Sequence, residues 1–301
     1  MIKMELSPLQ NFKKENFYLK PYPHIIIENA LPNKLYDDLC DKFPKISENK
    51  LLIENTIFTL LSDDIIKDDE IDNSWKNFIK EYSSQNFYNK ALEIFGKSIL
   101  GVYKNYFKTI DDLKNLTIAN SPEDQKKKNS DLYLNGNIMF YTEVKKDGLP
   151  KKDNEEKLKV HSDGPNKFLT SLMYFKNKSD KSENMGGDLA IHHWRFPLPF
   201  FLKKIILAKN NNFINSIIRN FQFIFIGLTK TITYEPNKFV MFLGSIDSLH
   251  SVTSRKKGSP IRRNVHSGVH YRTDFWSSRS LIDKVSNIEN YKFFFKRLIK
   301  K

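Results

Sequence analysis

The sequence has one cysteine, few arginines and no long apolar run. Cys40 is the only cysteine, which excludes an internal disulfide and a cysteine-rich zinc site and favours a reducing compartment. The longest apolar run, residues 221–228, is far shorter than the ~20 residues of a membrane span. The N-terminus, MIKMELSPLQNFKKENF, lacks the apolar centre of a signal peptide. We therefore expect a cytoplasmic protein without a transmembrane segment.

Arginine is scarce even though the chain is strongly basic. The net charge is +14, but only eight of the 49 basic residues are arginine, and the chain is also rich in asparagine and isoleucine. Recognition of phosphates and bases relies on the bidentate arginine fork, and no dense arginine stripe is present. We therefore interpret the charge as a solvated lysine-rich surface and do not expect nucleic-acid binding.

The hydrophobic content is sufficient for the core of one domain over residues 1–301, since 40% of the residues are hydrophobic and 13% are aromatic. Residues 23–29 predict a strand, and Leu31-Pro32 opens a helix that we expect to end near Phe43. From Asn73 to about Phe107, apolar residues recur at helical spacing and predict supporting helical structure. These elements form the N-terminal part, residues 1–130.

Short strand-like runs follow from residue 131 and are separated by turn-forming residues. Helices first and strands afterwards indicate an α+β fold with a sandwich or jelly-roll core over residues 131–276. Residues 145–159 form a charged loop in this prediction, and residues 195–230 are a lysine-rich insertion with one or two helices. Residues 277–301 predict a basic C-terminal helix. The predicted strands cover residues 138–144, 168–175, 188–194, 231–234, 238–243, 250–254 and 262–271.

The chemistry-bearing motif is Val160-His161-Ser162-Asp163-Gly164. On a strand, residues two apart share a face, so His161 and Asp163 would point into the same space. A second histidine would complete a site with two histidines and one carboxylate, which leaves positions open for ligands of non-haem iron(II). His-x-Asp alone occurs by chance, so its weight comes from the motifs that follow. These are Gly186-Gly187-Asp188-Leu189, Pro236-Asn237-Lys238-Phe239-Val240-Met241-Phe242, His250-Ser251-Val252 and Arg262-Arg263-Asn264-Val265.

As an ordered set, these motifs resemble the 2-oxoglutarate/iron(II) dioxygenase superfamily, and within it the prolyl-4-hydroxylase-like branch of bacteria and phages. The resemblance is continuous over about residues 136–275 and weaker over about residues 20–110. It implies a double-stranded β-helix, also called a jelly roll, that holds Fe(II) through His161, Asp163 and His250. It also implies 2-oxoglutarate and O2 as cosubstrates, with ascorbate as a supporting reductant.

The same resemblance implies which residues bind 2-oxoglutarate. Arg262 matches the basic residue that pairs with the far carboxylate, and Asn264 would share its face. Arg263 is the competing choice, and it would point to the opposite side of the strand. Tyr141 matches a tyrosine that contacts the cosubstrate, although the charged loop lengthens its spacing to His161.

Asp163 favours a hydroxylase, because the halogenating members of the family lack this carboxylate. The substrate stays open among a protein side chain, a small molecule and a glycan-type metabolite. Two alternatives also stay open: a catalytically inactive double-stranded β-helix that serves as a binding module, and a nucleic-acid demethylase. A metal-dependent isomerase of the cupin type is a weaker alternative, because cupins need no arginine for 2-oxoglutarate.

Further residues are candidates for the substrate pocket. Either His192 or His193 could line its mouth, but neighbouring strand residues face opposite ways and cannot both bind one metal. His266 and His270 would share the face of Arg262. The insertion at residues 195–230 predicts a lid that packs on its own domain, and the alternative is an amphipathic element that contacts a membrane surface.

Overall fold

The computed structural model describes residues 6–44, 57–118, 138–147, 158–176, 180, 185–207 and 222–275. A 3-10 turn, Lys14–Asn16, precedes the first strand. The helices are α1 (Asn33–Asp41), α2 (Ser62–Lys67), α3 (Asn73–Tyr82), α4 (Gln85–Val102), α5 (Ile110–Lys114), α6 (Phe200–Leu207) and α7 (Gln222–Phe225). The strands are β1 (Phe17–Tyr18), β2 (His24–Ile27), β3 (Ile57–Leu61), β4 (Ile138–Asp147), β5 (Leu158–His161), β6 (Lys167–Tyr174), β7 (Leu189–Trp194), β8 (Ile226–Ile232), β9 (Phe239–Leu243), β10 (His250–Val252) and β11 (Arg262–Tyr271). In these described residues, no helix has the length and apolar character needed to cross a membrane.

The strands form two antiparallel sheets. The large sheet has seven strands in the order β1-β2-β9-β6-β11-β4-β3, and the small sheet has four in the order β5-β10-β7-β8. The α+β class expected from the sequence is therefore confirmed, with helices in the N-terminal part and strands after it. The predicted strand at residues 262–271 coincides with β11.

Helices α3 and α4 pack on the outer face of the large sheet. Along β11, Val265 and Val269 join their apolar cluster, as the two-residue period of a strand requires. The aromatic stripe of the helical region therefore forms core, as its spacing predicts. Its fully buried members are Trp75, Phe78, Tyr82, Phe87 and Phe95.

A second apolar cluster lies between the two sheets. Tyr174 and Phe242 come from the large sheet, and Leu189 and Ile191 come from the small sheet. Burial of these side chains at roughly 25 cal/mol per Å² stabilises the contact between the sheets. Residues of β11 that alternate with Val265 and Val269, including Arg262, therefore face this inner space.

The helical region at residues 73–107 is not continuous. It breaks at Ser83–Ser84, where the Ser84 side chain accepts a hydrogen bond from the backbone N–H of Phe87 at 3.1 Å. Serine at this position satisfies a backbone donor that the new helix leaves open, so it starts α4. The apolar spacing predicted helical structure over this range and did not locate the cap.

Several strand boundaries also differ from the sequence prediction, and two of them involve β5 and β8. The end of the charged loop at residues 145–159 belongs to β5, which pairs with β10. The strand predicted at residues 231–234 begins earlier, because β8 starts at Ile226 and pairs with β7. In both cases, partners distant in sequence supply the hydrogen bonds, so local residue type was a poor guide.

The insertion contains helices α6 and α7, as predicted, and is shorter than expected because β8 occupies its last residues. Ile206 of α6 joins a small apolar cluster with Ile226 and Leu249, and Val160 and Trp194 pack against this cluster. The insertion thus covers the small sheet beside His161 and His250. The predicted C-terminal helix at residues 277–301 lies outside the described residues.

Gly186 and Gly187 start the approach to β7 with φ values of 75° and 80°. A Cβ atom on Gly186 would lie 1.8 Å from the backbone oxygen of Ser254. Only glycine allows this close approach in the left-handed region. The paired glycines were expected to permit a tight bend, and the bend brings β7 alongside β10.

Candidate metal centre

The two candidate histidine ligands meet across neighbouring strands of the small sheet. His161 ends β5 and lies opposite His250, the first residue of β10. Their ring centroids are 4.3 Å apart. Asp163 lies in the loop after β5, so its position beside His161 does not result from the strand alternation that the sequence predicted. The donor atoms of His161, Asp163 and His250 nevertheless lie within 4.8 Å of one another.

Both imidazoles are oriented by the backbone. Nδ1 of His161 lies 2.9 Å from the carbonyl oxygen of Lys159, and Nδ1 of His250 lies 3.0 Å from that of Ser248. A carbonyl only accepts, so each Nδ1 must carry the proton and donate. This tautomer places the lone pair on Nε2, the atom that a metal would bind.

The carboxylate of Asp163 is held by two residues of β6 on the large sheet. The Thr170 hydroxyl donates to Oδ2 at 2.5 Å, and Nζ of Lys167 lies 3.3 Å from Oδ1. Burial raises the pKa of Asp163, but the Lys167 ammonium, His250 and the Thr170 hydrogen bond outweigh it and keep the pKa well below its usual range. Asp163 is therefore ionised, as a metal ligand must be.

Sequence reasoning did not identify Lys167 and Thr170. Both lie in the predicted strand at residues 168–175 or directly before it, and neither belongs to a recognised motif. Lys167 is buried with 8% exposure, which is rare for lysine unless it is paired. A lysine at the start of an apolar strand, four residues after Asp163, was the available signal.

Two further histidines occupy the inner face of β11 near this centre. Nδ1 of His266 is 3.3 Å from a carboxylate oxygen of Glu143, and Nδ1 of His270 is 3.3 Å from Oδ1 of Asn166. Burial, reinforced by Lys167, lowers the pKa of His266 to about 4 and that of His270 to about 3. Both rings are consequently neutral at physiological pH.

Arg262 and Asn264 are buried, with 5% and 4% exposure, on that same inner face. The Arg262 guanidinium lies 5.1 Å from the Tyr174 ring and 5.2 Å from the Tyr234 ring. It lines a cavity of about 380 Å³ together with Lys176, Asp188, Arg255 and other residues. The cavity has no candidate metal ligand among its described lining residues. Arg262 and the metal centre nevertheless flank one apolar cluster, because Phe242 of that cluster lies 4.8 Å from the His250 ring.

Arg263 points the other way. Its guanidinium lies 3.7 Å from the carboxylate of Asp180 and 6.0 Å from the ring of Phe43. Phe43 belongs to the cluster on the helix side of the large sheet. The predicted opposition of Arg262 and Arg263 is therefore present, with Arg262 towards the space between the sheets.

Of the remaining candidates, His192 and His193 contact residues outside the centre. Tyr141 lies in β4 opposite Gly268, and its side chain is outside the described part of the structure. His192 Nε2 lies 2.8 Å from the Ser251 hydroxyl, while His193 Nδ1 lies 2.8 Å from the Thr229 hydroxyl on β8. Burial, with the nearby His250 and His193, lowers the pKa of His192 to about 4.

No family model matches the chain, and no curated protein matches it. Among solved structures, it is similar to a prolyl-4-hydroxylase from Pseudomonas putida, at 12% identity and a TM-score of 0.42 over 82% of this chain and 92% of that one. It is also similar to a prolyl 4-hydroxylase from Phytophthora capsici, at 12% identity and a TM-score of 0.40. That match covers 82% of this chain but only 58% of the Phytophthora capsici protein. A third similar structure is a prolyl hydroxylase from Trichoplax adhaerens in complex with a hypoxia inducible factor peptide fragment. Its sequence identity is 9% and its TM-score is 0.40, over 82% of this chain and 83% of that one. At such low similarity, the function has to be argued from the site itself.

Proposed function

We propose that this chain is an Fe(II)- and 2-oxoglutarate-dependent oxygenase, and specifically a hydroxylase. The observation that carries the proposal is the convergence of His161, Asp163 and His250, whose donor atoms lie within 4.8 Å of one another. Two imidazole nitrogens and one carboxylate are the donor set that suits non-haem Fe(II) and leaves coordination positions open. Strands at distant places in the sequence contribute these residues, so the cluster is a product of the fold.

The residues present fit the metal. Each histidine donates its Nδ1 proton to a carbonyl, so both Nε2 lone pairs are available for coordination. Asp163 is ionised and is oriented by Thr170 and Lys167. This outer layer of hydrogen bonds holds all three ligands before the metal binds.

When bound, Fe(II) and 2-oxoglutarate supply the oxidising chemistry, in which O2 is consumed and succinate, CO2 and a hydroxylated product are formed. Arg262 would hold the far carboxylate of 2-oxoglutarate, because a buried guanidinium can form a bidentate, charge-assisted pair with a carboxylate. Asn264 lies beside it on the same face and adds a polar contact, and Tyr141 is the third cosubstrate contact. The apolar cluster between the sheets excludes water from this space.

The fold that accompanies this proposal is a double-stranded β-helix over residues 131–276, within a single domain of residues 1–301. Two antiparallel sheets that share an apolar cluster and hold the ligands between them support it. Residues 1–130 supply the first strands and the supporting helices, and residues 277–301 the C-terminal helix. A cytoplasmic location and a substrate among protein side chains, small molecules and glycan-type metabolites remain predictions.

Succinate formation tests the proposal. The full chain is incubated with Fe(II), ascorbate and 2-oxoglutarate, with and without pools of peptides, small metabolites and sugars, and succinate is measured by NMR. We expect substrate-dependent succinate from the wild type and from His193→Ala, and none from Asp163→Ala. His193 is the matched control, because its ring contacts Thr229 outside the metal centre.

Binding of the metal without succinate from any pool would contradict the enzyme and favour the alternative of an inactive binding module. A nucleic-acid demethylase is a second alternative, which methylated oligonucleotides in the substrate panel would reveal. Equal succinate from wild type and Asp163→Ala would remove the assigned centre altogether.

A further inference from the structure

The insertion and its flanking strands contain no acidic residue. From residue 189 to residue 234 the sequence has neither aspartate nor glutamate, although 28% of the chain is charged. The same stretch contains six basic residues: Arg195, Lys203, Lys204, Lys209, Arg219 and Lys230. A solvated face normally mixes both signs, so this one-sided charge points to an anionic partner.

The same stretch exposes large apolar side chains. In the described part of the chain, six large hydrophobic residues within it are 40–67% exposed. These residues, which we call the aromatic surface, are Phe196, Phe200, Phe201, Phe223, Ile224 and Leu228. Scattered exposed apolar residues are ordinary, but a concentration of them in one segment marks an interaction site.

The side of the insertion opposite the aromatic surface packs on the domain. Ile206 of α6 is buried against Ile226 and Leu249, while Phe200 and Phe201 of the same helix are exposed. The helix therefore packs on its own domain, as the lid prediction required, and still presents a second apolar side outwards. One side of α6 is therefore buried against the domain, and the other side is exposed.

Basic groups lie among the exposed rings. Nζ of Lys204 is 4.6 Å from the Phe200 ring, and Nζ of Lys230 is 4.5 Å from the Tyr18 ring. Tyr18 is 39% exposed, and its neighbour Leu19 is 67% exposed, so the surface continues onto β1. Lys203 pairs with Asp247 at 2.5 Å and Lys204 is only 9% exposed, so Arg195 and Lys230 are the described, exposed basic residues that would meet an anionic partner.

We propose that the aromatic surface binds an anionic lipid bilayer. Phenylalanine and leucine insert into the boundary between headgroups and acyl chains, while lysines beside them meet the negative headgroups. Residues 189–234 contain no carboxylate that an anionic membrane would repel, and the neighbouring carboxylate of Asp247 is paired with Lys203. An acidic polypeptide is the competing partner, but it would leave several exposed rings without an apolar environment, which a bilayer provides.

The aromatic surface belongs to an insertion that packs close to the candidate metal centre. Val160 and Leu249 contact the insertion, and each directly precedes a candidate metal ligand in the sequence. Attachment would therefore hold the metal centre next to the membrane surface. This consequence rests on the proposed oxygenase function, whereas the binding itself does not.

Vesicle sedimentation tests the proposal with the full chain and no metal. Vesicles of phosphatidylcholine alone are compared with vesicles that also contain phosphatidylserine, at low and high salt. We expect at least about tenfold tighter binding to the anionic vesicles and weaker binding at high salt, because surface charge attraction is screened.

The double variant Phe223→Ser/Ile224→Ser should weaken binding by about tenfold or more, since each exposed apolar residue loses its insertion into the bilayer. The matched control is Val102→Ser/Tyr106→Ser, which alters residues that are 46% and 44% exposed at the end of α4 and beyond it. Lys230→Glu should weaken only the anionic binding. Thermal unfolding of each variant shows that it is folded.

Three results would overturn the proposal. One is no sedimentation with anionic vesicles, and another is equal binding by the two double variants. The third is a concentration-dependent dimer that Phe223→Ser/Ile224→Ser abolishes, which would show that a second copy covers the surface. The oxygenase proposal would survive any of these results, because succinate formation is measured separately.

Discussion

The two sheets of this protein differ in size and in what they contribute, since one packs against the helices and the other carries the candidate histidine ligands. The large sheet has seven strands and carries a layer of helices with Trp75, Phe78 and Phe87 fully buried beneath it. The small sheet has four strands, and its two ligand-bearing strands have only four residues and three residues. The larger apolar cluster of the described residues packs on the outer face of the large sheet, whereas both candidate histidine ligands lie in the small sheet.

The metal centre joins these two regions. The small sheet contributes His161 and His250, and the large sheet orients Asp163 through Lys167 and Thr170. The comparison predicts that changes in the small sheet affect chemistry with little effect on stability. Changes beneath the large sheet should do the reverse.

The largest expected effect is the loss of a ligand from the small sheet. We expect His250→Ala to lower succinate formation by about a thousandfold or more, because the metal contributes several kcal/mol to catalysis. Its thermal unfolding midpoint should stay within a few degrees of the wild type. A variant that unfolds at room temperature would show that the small sheet also determines stability.

The opposite effect is expected beneath the large sheet. Phe87 is fully buried against Phe140 and Phe239, so Phe87→Ala should lower the free energy of unfolding by about 3–5 kcal/mol. Urea denaturation measures the change, and Phe223→Ala, at a side chain that is 67% exposed, is the control. The fraction of Phe87→Ala that is folded should still bind the metal, and a folded protein without affinity for it would break the distinction.

Cosubstrate binding gives a smaller effect. Arg262→Ala should raise the KM for 2-oxoglutarate by about thirtyfold or more, the usual cost of removing one partner of a buried charge pair. Metal affinity should change little. Arg263→Ala is the matched control, because that guanidinium faces Asp180 and the helices. If Arg263→Ala raised the KM and Arg262→Ala did not, the anchor would lie on the other side of β11.

The orientation of Asp163 should have a more modest effect. Thr170→Val keeps the shape of the side chain but removes the hydroxyl that donates to Oδ2. We expect the metal affinity to fall by about tenfold, as for other hydrogen bonds behind metal ligands. Thr170→Ser should restore most of it. Unchanged affinity in Thr170→Val would show that Lys167 alone orients the carboxylate.

The smallest expected effect is on acid stability. His266 and His270 have folded pKa values of about 4 and about 3, whereas the unfolded value is about 6.5. Between these values the unfolded chain binds more protons, so stability is full above about pH 6.5 and is lost as the pH falls towards 4. His270→Gln should reduce this loss by about 1–2 kcal/mol at pH 5. Parallel unfolding profiles for the variant and the wild type would contradict the assignment.

Strands with a clear pattern could be predicted from the sequence. The bounds of β11 were predicted correctly, because Val265, Val269 and Tyr271 fall on one face of a strand with a two-residue period. The short strand β5 was not predicted in full, since it follows a charged segment and its pairing partner, β10, is distant in the sequence. The break before α4 was not located either, because apolar spacing predicts helical structure but does not show where one helix ends and the next begins.

The candidate site, like the strands, could be predicted only in part from the sequence. His161, Asp163 and His250 could be selected from the order of their motifs. Lys167 and Thr170 could not, because their contact with Asp163 depends on the loop that follows β5 returning to β6. A second argument for Asp163, that it alternates with His161 along one strand, does not hold, since Asp163 follows the end of β5.

Direct metal binding tests the central claim most simply. Co(II) can replace Fe(II), and its visible absorption reports binding and ligand geometry without any need for a substrate. We predict one Co(II) bound by the wild type and by His193→Ala, with the affinity greatly reduced in His161→Ala, Asp163→Ala and His250→Ala. Wild-type affinity and an unchanged spectrum in Asp163→Ala would contradict a centre built from these three residues.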